Sequence, residues 1–136
     1  MTEQMNGSRA THEPGRRRAL TILLVEDDVL VRFVAADILR DAHHEVIEAV
    51  NGDEAIALLS AGLVVDLVIT DVNMPGEIDG LRLATLVNAR FPELPVLMTS
   101  ALPPVIDILP AGFLPKPYRA ETLLNAVQGL APVNDA

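Results

Sequence analysis

From Ala19 onward, short apolar runs alternate with stretches whose apolar residues recur every three or four positions. Leu20 to Val25 has the length and apolar character of a buried strand, and the spacing of Leu30, Phe33, Val34 and Ile38 behind it predicts a helix. Val46 to Val50, followed by Ala55, Ile56 and Leu59, repeats the pair. Leu67 to Thr70 predicts a third strand before a helix over Leu81 to Arg90, and Val96 to Thr99 a fourth. Gly112 to Leu114 predicts a fifth, before a helix carrying Leu123, Leu124, Val127 and Leu130. Strands alternating with helices pair in parallel through crossover connections, so the pattern predicts an α/β, doubly wound sheet with helices on both faces. Residues 1–18 are polar, contain Gly7, Pro14 and Gly15 and show no apolar period, which predicts a disordered N-terminal tail before a domain over 19–130. Residues 131–136 form a short C-terminal tail.

Composition narrows this further. Half of the 136 residues are apolar but only 3% are aromatic, so the core has to be built from Val, Leu, Ile and Ala. A chain of this length has room for one domain. A net charge of -9 opposes contact with phosphate backbones, so direct nucleic-acid binding is not expected; Arg16 to Arg18 are read as solubilising the tail. The absence of cysteine excludes disulfides and thiolate chemistry. Apolar stretches such as Ala55 to Val65, broken by Ser60 and Gly62, fall short of the roughly 18 residues of a membrane span. Arg16 to Arg18 ahead of Ala19 to Val25 looks superficially like a signal peptide, but acids follow where a cleavage site should stand. A cytoplasmic protein without a membrane partner is expected.

In doubly wound sheets, ligands bind beyond the carboxyl ends of the strands. Those ends carry Glu26 and Asp27 after the first strand, Asp71 after the third, Ser100 after the fourth and Lys116 after the fifth. Carboxylates drawn together repel by about 4 kcal/mol per pair at ~4 Å and an effective dielectric of 20, so the group calls for a cation. Oxygen-only ligation selects a hard ion such as Mg²⁺, which retains waters and welcomes a phosphate oxygen. A carboxylate such as Asp71 can then act as nucleophile and form an acyl phosphate, with Lys116 pairing with the phosphoryl oxygens and Ser100 donating to one. Each residue alone has a plainer role: Asp27 or Asp28 as a helix cap, which is assigned to Asp28, Asp71 in a turn, Ser100 in a loop, Lys116 in solvent. Their joint placement is what favours chemistry. His43 and His44, ahead of the second strand and away from the strand ends, are read as surface residues, and Met74 as a packing residue.

The segments Ile22-Leu23-Leu24-Val25-Glu26-Asp27-Asp28, Asp71-Val72-Asn73-Met74-Pro75 and Phe113-Leu114-Pro115-Lys116-Pro117 stand in order at successive strand ends. Through them the chain resembles the receiver domains of two-component response regulators, of the stand-alone type, over about residues 19–130. The resemblance implies a flavodoxin-like sheet of order 2-1-3-4-5 and a cis bond before Pro117. It implies Mg²⁺ held by Glu26, Asp27, Asp71 and the backbone carbonyl of Asn73, and Asp71 as acceptor of phosphate from a histidine kinase or a histidine phosphotransfer protein. Lys116 becomes the residue that binds the phosphoryl group, Ser100 the switch hydroxyl, and Phe113 the aromatic whose rotamer follows the state, with core packing an equal alternative for Phe113. The implied function is a phosphorylation-controlled switch acting on an unknown downstream protein, with a homodimer left open; the alternative is a phosphotransfer intermediate or phosphate sink, the group being lost to water.

An enzyme in the ordinary sense is not expected. Asp71 is followed by Val72 and Asn73 where an aspartyl phosphatase would want a second acid, and no Ser/Thr/Gly-rich loop follows the first strand to cradle a flavin phosphate. Two departures from the family pattern stand out. Only 15 residues separate Ser100 from Lys116, among them Pro103, Pro104 and Pro110, which predicts a shortened or distorted fourth helix. The loop from Asp71 to Gly80 is one residue longer than is common, and Gly76 can absorb the insertion.

Overall fold

The computed structural model describes residues 18–101 and 112–131. In chain order the elements are β1 (Thr21–Val25), α1 (Val29–Asp41), β2 (Glu45–Ala49), α2 (Gly52–Ser60), β3 (Leu67–Asp71), α3 (Gly80–Arg90), β4 (Val96–Ser100), β5 (Gly112–Pro115) and α4 (Ala120–Leu130). The strands form one sheet in the order β2-β1-β3-β4-β5. Every neighbouring pair is parallel. The expected sheet and its order are both present. The predicted shortening of a helix between β4 and β5 falls on residues 102–111, outside the described residues, as do 1–17 and 132–136.

Period-two alternation explains why so short a set of strands holds two layers of helix. On one face Ile22, Leu24, Val46, Leu67, Ile69, Leu97 and Leu114 pack with Ala35, Ala36 and Leu39 of α1 and Leu123 and Val127 of α4. On the other, Leu23, Val25, Ala49, Val68, Val96 and Met98 pack with residues of α2 and α3. Successive side chains point to opposite faces, so a continuous apolar run is what a strand covered on both sides requires. Three of the four described helices, α1, α2 and α3, begin where the sequence offers an oxygen acceptor. Asp28 accepts from the amides of Leu30 and Val31 at 2.9 and 3.0 Å, Asn51 from Glu54 at 2.8 Å and Asp79 from Arg82 at 2.8 Å. Among the described residues no helix is long and apolar enough to cross a membrane.

One sequence expectation is corrected. His44 is buried, at 5% exposure, and its Nδ1 accepts the amide of Leu20 at 3.0 Å. After α1 the chain turns through His43, at φ 73, and His44 donates its own amide to Leu39, which folds it back against the entrance to β1. His44→Ala leaves the Leu20 amide without this acceptor and is expected to cost about 1–3 kcal/mol, read as a lower urea midpoint; an unchanged midpoint would show that the bond contributes nothing.

The phase of α1 is a separate finding. Its apolar period predicts the helix, but the side that packs on the sheet is Ala35, Ala36 and Leu39, with Ile38 half-buried. Val29, Leu30, Phe33 and Val34 are exposed instead, between 54% and 74%. The small alanines let α1 sit close to the sheet, and the larger residues are left on its outer face. That face is apolar at its N-terminal end and carries Asp37, Arg40 and Asp41 at the other.

Candidate functional site

Glu26 directly follows β1 and continues its pairing, its amide donating to Ala49 O at 3.1 Å. The side chain therefore leaves the sheet at its carboxyl edge, where it is buried, at 4% exposure. Its Oε2 accepts the Asp28 amide at 3.1 Å. Asp71 ends β3, the strand next to β1 on the same edge; its Oδ1 accepts the Asn73 amide at 3.1 Å. Lys116 follows β5, with its amide bonded to Ser100 O at 2.8 Å, before a cis Lys116–Pro117 bond. The ammonium reaches across the sheet, donating to Glu26 Oε1 at 2.9 Å and Asp71 Oδ2 at 3.0 Å.

Asp27 is exposed at the mouth. Glu26, Asp27 and Asp71 each offer a carboxylate oxygen within 4.8 Å of the other two. Such a set of hard oxygen donors fits a divalent cation with retained waters, and Lys116 supplies part of the missing positive charge. Burial pushes the Glu26 carboxyl above the usual value of 4.5, outweighing the hydrogen bonds from Lys116 and Asp28 that favour its ionised form. Burial draws Lys116 downward, but bonds and charges from Glu26 and Asp71 outweigh it and hold the ammonium above 10.5.

The structure thus brings Glu26, Asp27, Asp71 and Lys116 into one cluster. Ser100 is fully buried at the end of β4, whose Thr99 pairs in register with Asp71. Asn73 is exposed in the loop beyond Asp71, and Phe113 of β5 is half-buried against the face covered by α2 and α3. Met74 is buried in that same face, as expected of a packing residue. Sequence reasoning overlooked Tyr118, half-buried against the opposite face, whose hydroxyl is pushed up by burial and feels the charges of Lys116, Glu26 and Asp71. It also overlooked Gly80, whose amide donates to Val72 O at 2.9 Å and where a Cβ would run into the main chain of Asp71. An Asp-Gly pair just ahead of an apolar helical period was the available signal.

Comparison with known proteins agrees with this geometry. The family model of the response regulator receiver domain matches residues 22–128. The chain is 40% identical to the response regulator protein FleR of Pseudomonas aeruginosa over 115 residues, which is 80% of this chain and 24% of that protein. It is 34% identical to the chemotaxis protein CheY of Listeria monocytogenes over 119 residues, 82% of this chain and 98% of the relative. Among solved structures, a response regulator receiver protein from Sinorhizobium medicae superposes with a TM-score of 0.76 at 28% identity, covering 82% of this chain and 94% of the other. The receiver domain of the hybrid histidine kinase CckA does so at 0.67 and 41% identity, covering 81% and 97%. The chain belongs to the response regulator receiver family, signalling modules of two-component systems rather than enzymes in the ordinary sense.

Proposed function

We propose that Asp71 is the phosphoryl acceptor of this receiver, that Glu26, Asp27 and Asp71 hold Mg²⁺ together with the Asn73 carbonyl, and that Lys116 binds the transferred group. The observation that carries this reading is the Lys116 ammonium lying between Glu26 and Asp71, with Asp27 completing a carboxylate cluster. A bound Mg²⁺ would neutralise the carboxylates and the incoming phosphoryl oxygens. A carboxylate oxygen of Asp71 attacks the phosphorus of a phosphohistidine; the P–O bond forms as the P–N bond breaks, and the imidazole keeps the electron pair and takes a proton. Lys116, already within hydrogen-bonding distance of Asp71, can turn to the new phosphoryl oxygens. Loss of the group to water completes the cycle.

The donor is a histidine kinase or a histidine phosphotransfer protein. It must bring its imidazole to the pocket rim, so its surface covers the adjoining N-terminal end of α1, where Val29, Leu30, Phe33 and Val34 are exposed. Output follows if the phosphoryl group draws the Ser100 hydroxyl into one charge-assisted bond. That contributes ~1.5 to 3 kcal/mol, enough to change an inactive-to-active ratio roughly 10- to 150-fold, and Phe113, paired in register with Met98 of β4, is placed to follow. A cytoplasmic location, alongside the kinase's catalytic part, belongs to the same reading.

The test is incubation with acetyl phosphate, with Mg²⁺ or with EDTA, followed by intact mass and the amide spectrum. Wild type is expected to gain one phosphoryl group only with Mg²⁺, with shifts spreading from Asp71 to Ser100 and Phe113; Asp71→Ala should gain none. A phosphoryl adduct retained in Asp71→Ala would overturn the assignment.

A further inference from the structure

We propose that Arg32 is a positioning residue for the metal-binding turn, and that Glu48 holds it in place. This rests on the Mg²⁺ reading of Glu26, Asp27 and Asp71 given above. Arg32 lies one turn into α1, on the side facing β2, and its side chain is only 15% exposed. Its Nη1 donates to the main-chain carbonyl of Glu26 at 2.8 Å and its Nε to Glu48 Oε1 at 3.0 Å. The other oxygen of Glu48 is held by Arg40 Nη1 at 3.1 Å, and Arg40 Nη2 donates to Val46 O at 3.0 Å. Two arginines of α1 thus grip one glutamate of β2, and only Arg32 extends the grip to the acidic turn.

The peptide group is planar, so fixing the Glu26 carbonyl also fixes the amide and Cα of Asp27. The Glu26 amide is already tied to Ala49 O, and its carboxylate to Lys116 and the Asp28 amide. The contact from Arg32 sets the remaining peptide plane, from which the Asp27 carboxylate projects. A guanidinium suits the task because its rigid fork serves two acceptors at once, the carbonyl and the glutamate, where an ammonium is a single point.

Charge and position make opposite forecasts. Arg32 is a cation close to an acidic pocket, so by through-space repulsion alone its removal should tighten Mg²⁺ binding. If Arg32 positions the turn, removal should weaken it, by roughly 10-fold or more, as for other outer residues that orient metal ligands.

The experiment is a Mg²⁺ titration of the full chain without phosphodonor, followed by the amide shifts of Asp27 and Asp71. It compares wild type with Arg32→Met, Arg32→Lys, Arg40→Met and the double variant Arg32→Met/Glu48→Met. Expected are a dissociation constant raised roughly 10-fold or more in Arg32→Met, an equally weak double variant although its net charge matches wild type, and an intermediate Arg32→Lys. Arg40→Met, which loses the same charge and a contact to the other oxygen of the same glutamate without touching Glu26, should bind as wild type does. Binding by Arg32→Met as tight as wild type or tighter would overturn the proposal. Should Arg32→Met not fold, Arg32→Lys decides: an unchanged constant overturns it. Wild type that binds no Mg²⁺ would overturn the metal reading as well, whereas normal wild-type binding with unaffected Arg32 variants overturns this proposal alone.

Discussion

Lys116→Met is expected to lower the stability of the Mg²⁺-free chain by about 2–4 kcal/mol, somewhat less than the loss of a partner from a fully buried ion pair. The side chains of Glu26 and Asp71 are 5% and 12% exposed and Lys116 is 20% exposed, so the pair is screened only in part. Methionine fills similar space without charge and leaves two buried carboxylates facing each other. Divalent cation should then do for the variant what the ammonium does for wild type. At a Mg²⁺ concentration 100 times its dissociation constant, binding stabilises by about 2.7 kcal/mol, and the increment at any fixed concentration should be larger in the variant. Urea denaturation in EDTA and in Mg²⁺ measures both; equal midpoints for variant and wild type in EDTA would show that the ammonium does not hold the site together.

The pH dependence has a definite sign. Glu26 has a folded pKa raised above 4.5, so its ionisation works against folding, and its contribution is fully present below 4.5 and lost as pH rises through the raised value. Lys116 is also raised, so its contribution persists across neutral pH and is lost only as pH climbs past 10.5. Metal-free wild type should therefore weaken at strongly alkaline pH, and Lys116→Met should lack that component.

Gly80→Ala is the other substitution with a large expected effect. A Cβ at Gly80 would meet the Asp71 carbonyl oxygen and lie 2.6 Å from the Asp71 carbonyl carbon and 2.7 Å from Val72 Cα. These are main-chain atoms of Asp71 and its neighbour, with no flexible end to move aside. The start of α3 must retreat from the end of β3, at a cost of about 3 kcal/mol or more, and Asp71 moves with it. Gly129→Ala is the control: nothing lies within 4 Å of its Cβ position in α4, and stability should rise by up to about 1 kcal/mol because alanine favours helix. Chemical denaturation of both variants checks the pair, and a Gly80→Ala midpoint equal to wild type would contradict the close approach.

Much of this was legible from local pattern. Strands covered on both faces leave continuous apolar runs, so the runs ending at Val25, Thr70 and Thr99 marked the sheet, and the acids behind them marked its working edge. Strand order was not in the pattern and came from the resemblance. What local pattern missed depends on partners distant in sequence. The partner of His44 is 24 residues away and that of Arg32, Glu48, is 16 residues away, so neither contact leaves a trace in a window of neighbours. In α1 the period was legible but the phase was not. Leu30, Phe33 and Val34 look like core, and only the packed structure shows that alanines occupy the narrow gap above the sheet.

The bonds from Lys116 span 90 residues to Glu26 and 45 to Asp71, so the pocket closes across most of the domain's length. During synthesis both carboxylates leave the ribosome well before the lysine that joins them. A nascent or truncated chain can carry Asp71 without the ammonium beside it, and long-range closure of this kind is slow to form. The completed cluster of Glu26, Asp71 and Lys116 therefore comes last in this chain's own maturation, once β5 has docked; on the acceptor role proposed for Asp71, a partly made copy would have little capacity to draw phosphate from the pathway.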